Sequence, residues 1–233
     1  MIRIQRADDR YLADHGWLKS RFSFSFADHY DPDNVKFGVM RVLNDDSIAP
    51  SEGFGMHPHR EMEIVTIVLK GRLEHKDSLG NRAATTWGGI QRMSAGTGIF
   101  HSEYNSSDEE QLELLQMWFL PERRGLTPSY ETTAFDPGEL RGRLVPVASS
   151  EGVAGKVARV HQDMTIYLSE LGAGESLAFR QPAGRRIFLF VLEGELTANG
   201  ETLHRRDAAR IEGTAEMSLA STTGAKLMLI DLP

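Results

Sequence analysis

The chain contains no cysteine. That excludes a disulfide framework, a cysteine-ligated zinc site and an iron–sulfur cluster, so any bound metal has only His, Asp and Glu to hold it. Long hydrophobic runs are missing as well. Ile187 to Leu192 is one of the longest, against the roughly twenty apolar residues a membrane helix needs. The opening stretch MIRIQRADDR has no apolar segment and does not read as a signal peptide. Excess positive charge is absent: 26 Lys and Arg stand against 33 Asp and Glu, a net charge of −7, which disfavours nonspecific binding to nucleic acid or anionic lipid. Helical periodicity is scarce, since no stretch beyond about ten residues keeps a 3.6 period. These absences point to a cytoplasmic globular protein, and 233 residues suffice for one large domain or two small ones.

Strand patterns are abundant. RFSFSF (21–26) alternates with period two. KFGVMRVL (36–43), EIVTIVL (63–69), LLQMWFL (114–120), TIYLSEL (165–171), RIFLFVL (186–192) and KLMLIDL (226–232) are short and rich in β-branched and aromatic residues. Gly and Asn/Asp punctuate them, and Asn199-Gly200 fits a two-residue hairpin turn. The class is all-β, a sandwich or barrel.

One pattern occurs twice. Val68-Leu69-Lys70-Gly71-Arg72-Leu73 and Val191-Leu192-Glu193-Gly194-Glu195-Leu196 both read V-L-x-G-x-L after an apolar strand. Two copies imply two similar β-barrels, expected over residues 1–125 and 126–233, with the linker between Pro121 and Pro146. The first strands are candidates to cross to the second barrel.

Two clusters carry the chemistry, both in the first half. One is Gly55-Met56-His57-Pro58-His59 with Glu61 and Glu63 following; the other is Gly96-Thr97-Gly98-Ile99-Phe100-His101-Ser102-Glu103. A strand sends residues i and i+2 to the same face. His57 with His59, and His101 with Glu103, therefore place three imidazoles and one carboxylate around one point, a donor set that suits Fe, Mn, Co, Ni, Cu or Zn. Phe54, Met56, Phe100 and Met93 are candidates for an apolar shell around that point, or for barrel core. The remaining histidines read as bystanders: His15 and His29 in Asp-rich loops, His75 on a solvated hairpin face, His161 and His204 without a partner at ligand spacing.

These stretches resemble the cupin pattern G-x-H-x-H-x3-E-x7-G followed by G-x2-H-x3-N. More narrowly, GMHPHREMEIVTIVLKGRLEHKDSLGN, QRMSAGTGIFHSEYN and the earlier RFSFSFADHY resemble the signature segments of the pirin family, above all its bacterial members. The resemblance implies a bicupin: two cupin (jelly-roll) barrels in tandem, with one divalent metal ion in the N-terminal barrel. It implies the ligands His57, His59, His101 and Glu103. Many cupins draw their carboxylate from the first motif, here Glu63, so the choice of Glu103 rests on the pirin resemblance. Glu63 then becomes an outer carboxylate or a strand-face residue. Aligning the repeat puts Arg180, Pro182, Arg186, Leu219 and Ser221 at the ligand-equivalent positions of the second barrel, which is expected to bind no metal.

The resemblance further implies a metal-dependent dioxygenase of the quercetin 2,3-dioxygenase type. Such an enzyme opens the heterocycle of a flavonol-like aromatic with O2 after a carboxylate takes the substrate's proton; Glu103 is the expected catalytic base, because Glu61 and Glu63 lie on the opposite strand's continuation, away from His101. The alternative is a non-enzymatic, metal- and redox-sensing regulator that binds a protein partner. A sugar isomerase is a weaker third reading, because only Arg60 and Arg92 are obvious candidates to line a mouth. The discriminating feature is a metal-facing pocket of several hundred Å3.

Overall fold

The computed structural model describes residues 1–233. Apart from three short 3-10 turns, every regular element is a strand. No helix is long and apolar enough to cross a membrane. The chain forms two compact units. One comprises Tyr11–Phe135 and Ser150–Gln162; the other comprises Met1–Arg10, Asp136–Ser149 and Asp163–Pro233. Both draw on more than one stretch of chain, so a single cut near residue 125 does not assign every residue. The opening strand Ile2–Gln5 pairs with Ala208–Glu212, Ile2 opposite Ile211, and so joins the second barrel.

The unit centred on Tyr11–Phe135 contains two antiparallel sheets. The larger has seven strands in the order Ser129–Ala134, Gly89–Ser94, Glu63–Lys70, Leu112–Phe119, Met40–Ile48, Leu18–Phe22 and Tyr11–Asp14. The smaller has four, in the order Gly53–His59, Ile99–Asn105, Leu73–Asp77 and Arg82–Thr85. Alternation assigns one face of each strand to the interior. Two apolar clusters fill much of the inside: Leu18, Ile48, Val68, Leu73, Leu112 and Leu114 form one, and Ile64, Met93, Ala95 and Ile99 the other. Met93 is thus core.

Between these clusters the large sheet carries a polar row. Asn44 is opposite Gln116, Gln116 opposite Thr66, and Thr66 opposite Gln91. Asn44, Thr66 and Gln91 are buried. Burying amides costs free energy unless they find partners, so this row marks where packing gives way to chemistry.

In the other unit, the 13-residue strand Arg186–Ala198 lies between Ala208–Glu212 and Ala225–Leu232. Its interior is packed with apolar side chains, Phe179, Leu189, Val191, Leu219 and Leu229 among them. Of the ligand-equivalent residues, Leu219 belongs to this core and Ser221 donates to the Glu195 carbonyl. Arg180 and Arg186 pair with Glu216 and Glu212.

The sequence repeat has a common backbone cause. Gly71 and Gly194 both lie in the left-handed region, at φ +80° and +78°. A Cβ would stand 2.9 Å from the Gln111 carbonyl oxygen at Gly71 and 2.1 Å from that of Gly224 at Gly194. Only glycine fits both demands.

Candidate metal centre

The histidine-bearing strands are neighbours in the small sheet. His101 sits opposite His57, and Ile99 opposite His59. A bulge follows: Glu103 is opposite Phe54, so Gly55 and Met56 together face the single residue Ser102. The bulge flips the alternation. Phe54 turns inward with His57 and His59, whereas Met56 is 59% exposed. Phe100, one residue before the inward His101, is 52% exposed. Of the expected apolar shell, only Phe54 lines the site; Met56 and Phe100 face outward.

Nitrogens of His57, His59 and His101 lie within 4.8 Å of one another. Hydrogen-bond partners fix the tautomers of two of these rings. His57 Nδ1 donates to the Gly55 carbonyl at 2.8 Å, which leaves its Nε2 a bare lone pair. His75 Nε2 donates to the Asp77 carboxylate at 3.1 Å. The His75 Nδ1 lone pair therefore accepts from His101 Nδ1 at 3.4 Å, and His101 Nε2 is bare as well. With both rings neutral, the form that binds a metal, Nε2 of His57 and of His101 face each other at 3.0 Å with no proton between them. His59 Nε2 is buried with no hydrogen-bond partner.

Two facing lone pairs with the unpartnered His59 Nε2 within reach call for a cation. Two nitrogens 3.0 Å apart match ligands at right angles about an ion roughly 2.1 Å from each. Burial, then the neighbouring rings, pushes His59 down to about 4 and His101 down to about 3, so both are neutral and able to ligate at neutral pH. The residues fit a divalent transition metal.

Glu103 is 3% exposed and is grouped with His75 and His101 within 4.8 Å, not with the His57–His59 pair. It lines the same cavity as His57 and His59. Two amides from the polar row hold it. Gln91 Nε2 donates to Oε1, and Gln116 Nε2 donates to Oε2 at 2.8 Å. Each amide is oriented in turn: Tyr130 donates its hydroxyl to Gln91 Oε1 at 3.0 Å, and the Trp118 indole donates to Gln116 Oε1 at 3.0 Å. Burial, then the Glu103 charge, raises the Tyr130 pKa and keeps it a donor.

Several sequence readings need correction. His75 is not on a solvated face: it is fully buried, bonded to Asp77 and His101, and stacked on Tyr130 at 4.0 Å. Leu73, His75 and Asp77 alternate on one face, and the apolar Leu73 marks that face as inward. Glu63 holds none of the three clustered imidazoles. Its Oε2 accepts from Ser94 Oγ at 2.8 Å and from the His161 amide at 2.9 Å, so His161 does have a carboxylate partner. Glu61 accepts from the Gly125 amide. His29 stacks on Tyr11, and His204 pairs with Glu195.

A cavity of about 300 Å3 opens onto His57, His59 and Glu103. Phe22, Phe26, Phe54 and Trp118 supply aromatic walls, and no lysine or arginine lines it. Arg92 is buried and tied to Ser129 and Glu131. His15, read as a bystander, lines the cavity.

Residues 5–119 match the family profile named Pirin, and residues 146–232 match that of the quercetinase C-terminal cupin domain. The sequence is 42% identical to a quercetin 2,3-dioxygenase of Escherichia coli K12, over 100% of this chain and 99% of that protein. It is 39% identical to a pirin-like protein of Caulobacter vibrioides, over 94% of each. The crystal structure of the E. coli bacterial pirin YhhW in complex with nickel(II) matches with a TM-score of 0.95 at 42% identity, covering 100% of this chain and 99% of that one.

Proposed function

The chain belongs to the pirin family and has its fold of two cupin barrels, and on that premise we propose that it is a metal-dependent dioxygenase of the quercetin 2,3-dioxygenase type. The observation that carries this reading is the cluster of His57, His59 and His101, two of whose imidazoles, His57 and His59, line an aromatic-walled cavity of about 300 Å3. Relatives named quercetin 2,3-dioxygenase and a nickel-bound pirin support it.

His57, His59 and His101 hold the ion, with Glu103 beside them as the carboxylate donor. When bound, the metal supplies a Lewis-acid site for the 3-oxygen of a flavonol and a template for its encounter with O2. The protein's own groups do the rest. The ring walls sandwich a planar aromatic and exclude water. Glu103, the acid aimed into the cavity from the metal strand, takes the proton of the 3-hydroxyl. The Gln91 and Gln116 amides keep that carboxylate in place while it gains and loses charge. Both atoms of O2 enter the product, the heterocycle opens and carbon monoxide leaves.

A redox-sensing regulator would use the metal but needs no aromatic-lined cavity beside it. A sugar isomerase would want cations at the mouth, and the lining has none. The site assignment is tested by metal analysis of the purified protein and of His57→Ala and His101→Ala. One transition metal per chain in the parent and loss of stoichiometric metal in both variants are expected. Full occupancy in both variants overturns the assignment.

A further inference from the structure

The cavity has a second polar wall that the metal chemistry does not use. It comes from the large sheet, across from the strands that bear the imidazoles. Asp46 on Met40–Ile48 sits opposite Ser20 on Leu18–Phe22, and Asn44 sits opposite Phe22. All four residues line the cavity. Asp46 is 4% exposed, and the one donor to its side chain is the Ser20 hydroxyl. No cation pairs with it. Asn44 is equally buried, and its Oδ1 has no hydrogen-bond partner.

Such an arrangement is costly unless something completes it. A buried carboxylate with a single donor, beside an unpartnered amide oxygen, is short of hydrogen-bond donors. Burial, opposed by the Ser20 bond and reinforced by Asp45 and Glu103, lifts the Asp46 carboxyl to about 7, which reflects the same shortage. A purely apolar ligand would leave these acceptors unsatisfied. A planar aromatic bearing hydroxyls away from its metal-directed oxygen brings the missing donors.

We propose that Asp46, held by Ser20 and flanked by Asn44, contacts the substrate directly and receives a ring hydroxyl of the bound aromatic, so that the pocket selects polyhydroxylated flavonols over bare ones. This rests on the dioxygenase reading above. It adds a specificity determinant on the wall facing the metal strands. No covalent step is involved: the hydroxyl donates and the carboxylate accepts. A site built to satisfy a substrate hydroxyl discriminates against the analogue that lacks it, because its own buried acceptor is then left unpaired.

The test is calorimetric binding to the nickel-loaded protein without O2 at pH 8.5, so that affinity is read without turnover. The probes are quercetin, which carries further ring hydroxyls, and 3-hydroxyflavone, which has only the metal-directed one. The parent is expected to bind quercetin at least about tenfold more tightly, the worth of one charge-assisted hydrogen bond. Asp46→Asn should weaken quercetin about tenfold and change 3-hydroxyflavone by less than about twofold. Ser20→Ala should shift quercetin in the same direction by less. Retained 3-hydroxyflavone binding shows that each variant is folded. Equal losses for the two ligands, or none for either, overturn the assignment of Asp46. A parent that binds both ligands alike overturns it too and leaves the dioxygenase reading standing. A parent that binds neither overturns both.

Discussion

His75→Phe isolates the part of the proposed metal centre that lies behind the clustered imidazoles. The phenyl ring keeps the stacking on Tyr130, now at 4.0 Å and 10° between planes. Asp77 keeps its bonds from the Leu79 and Asn81 amides. What disappears is the acceptor for His101 Nδ1–H. A buried N–H left without a partner costs about 1–3 kcal/mol. His101 escapes that cost by moving its proton to Nε2 or rotating, and either response withdraws the lone pair from the ion. The same free energy, taken from the metal-competent tautomer, corresponds to about 5–150-fold in affinity, in line with the 10–100-fold typical of outer-shell partners. Nickel(II) affinity measured by chelator competition should therefore fall about 10–100-fold while one ion per chain still binds at saturation. Asp77→Asn, which leaves His75 free to turn over, should fall less. Wild-type affinity in His75→Phe would refute the relay.

Further outcomes follow from the same geometry. At equal metal occupancy, Glu103→Gln should lose at least about a hundredfold in flavonol oxidation, because the amide keeps the size but not the basicity; wild-type turnover would move the base elsewhere. Glu63→Ala should lower the unfolding free energy by about 2 kcal/mol or more, as the Ser94 and His161 donors lose their carboxylate, yet keep stoichiometric metal; loss of metal would restore Glu63 as a ligand. Gly53→Ala would set a Cβ 2.2 Å from the Glu103 carbonyl oxygen, whereas at Gly55 the nearest atom is 3.8 Å away. Metal occupancy should drop in Gly53→Ala and hold in Gly55→Ala. In the metal-free protein, His59 and His101 titrate at about 4 and about 3, below their ordinary 6.5. Below pH 6.5 the unfolded chain takes up protons that the folded one refuses, so stability is lost on acidification through that window. Asp46, raised from 3.8 to about 7, acts in the opposite sense between those values. Two imidazoles outweigh one carboxyl, and the urea midpoint should fall from pH 6.5 to about 4; a rising midpoint contradicts the burial of these rings.

The sequence exposed whatever depends on short-range spacing. Alternation placed His57 with His59 and His101 with Glu103, and the V-L-x-G repeat announced two barrels because each copy needs a left-handed glycine against a carbonyl. What stayed hidden depends on long-range register. The bulge that turns Phe54 in and Met56 out is a property of the pairing between two strands, and period-two counting along one of them misses it. The contact of Glu63 with His161 joins residues 98 apart. Nothing in the local pattern Asn44-Asp45-Asp46 singles out Asp46; the sheet brings Ser20 and the cavity to it. His75 was within reach, since Leu73, His75 and Asp77 share one face, but charged Glu74 and Lys76 on the other face obscured it.

The most direct measurement of the central claim is oxygen uptake, with carbon monoxide release, by the protein loaded to one metal per chain and given quercetin. The account predicts one O2 consumed and one carbon monoxide released per flavonol opened, with both signals lost in His101→Ala. Fully loaded protein that leaves quercetin intact and consumes no oxygen would contradict it.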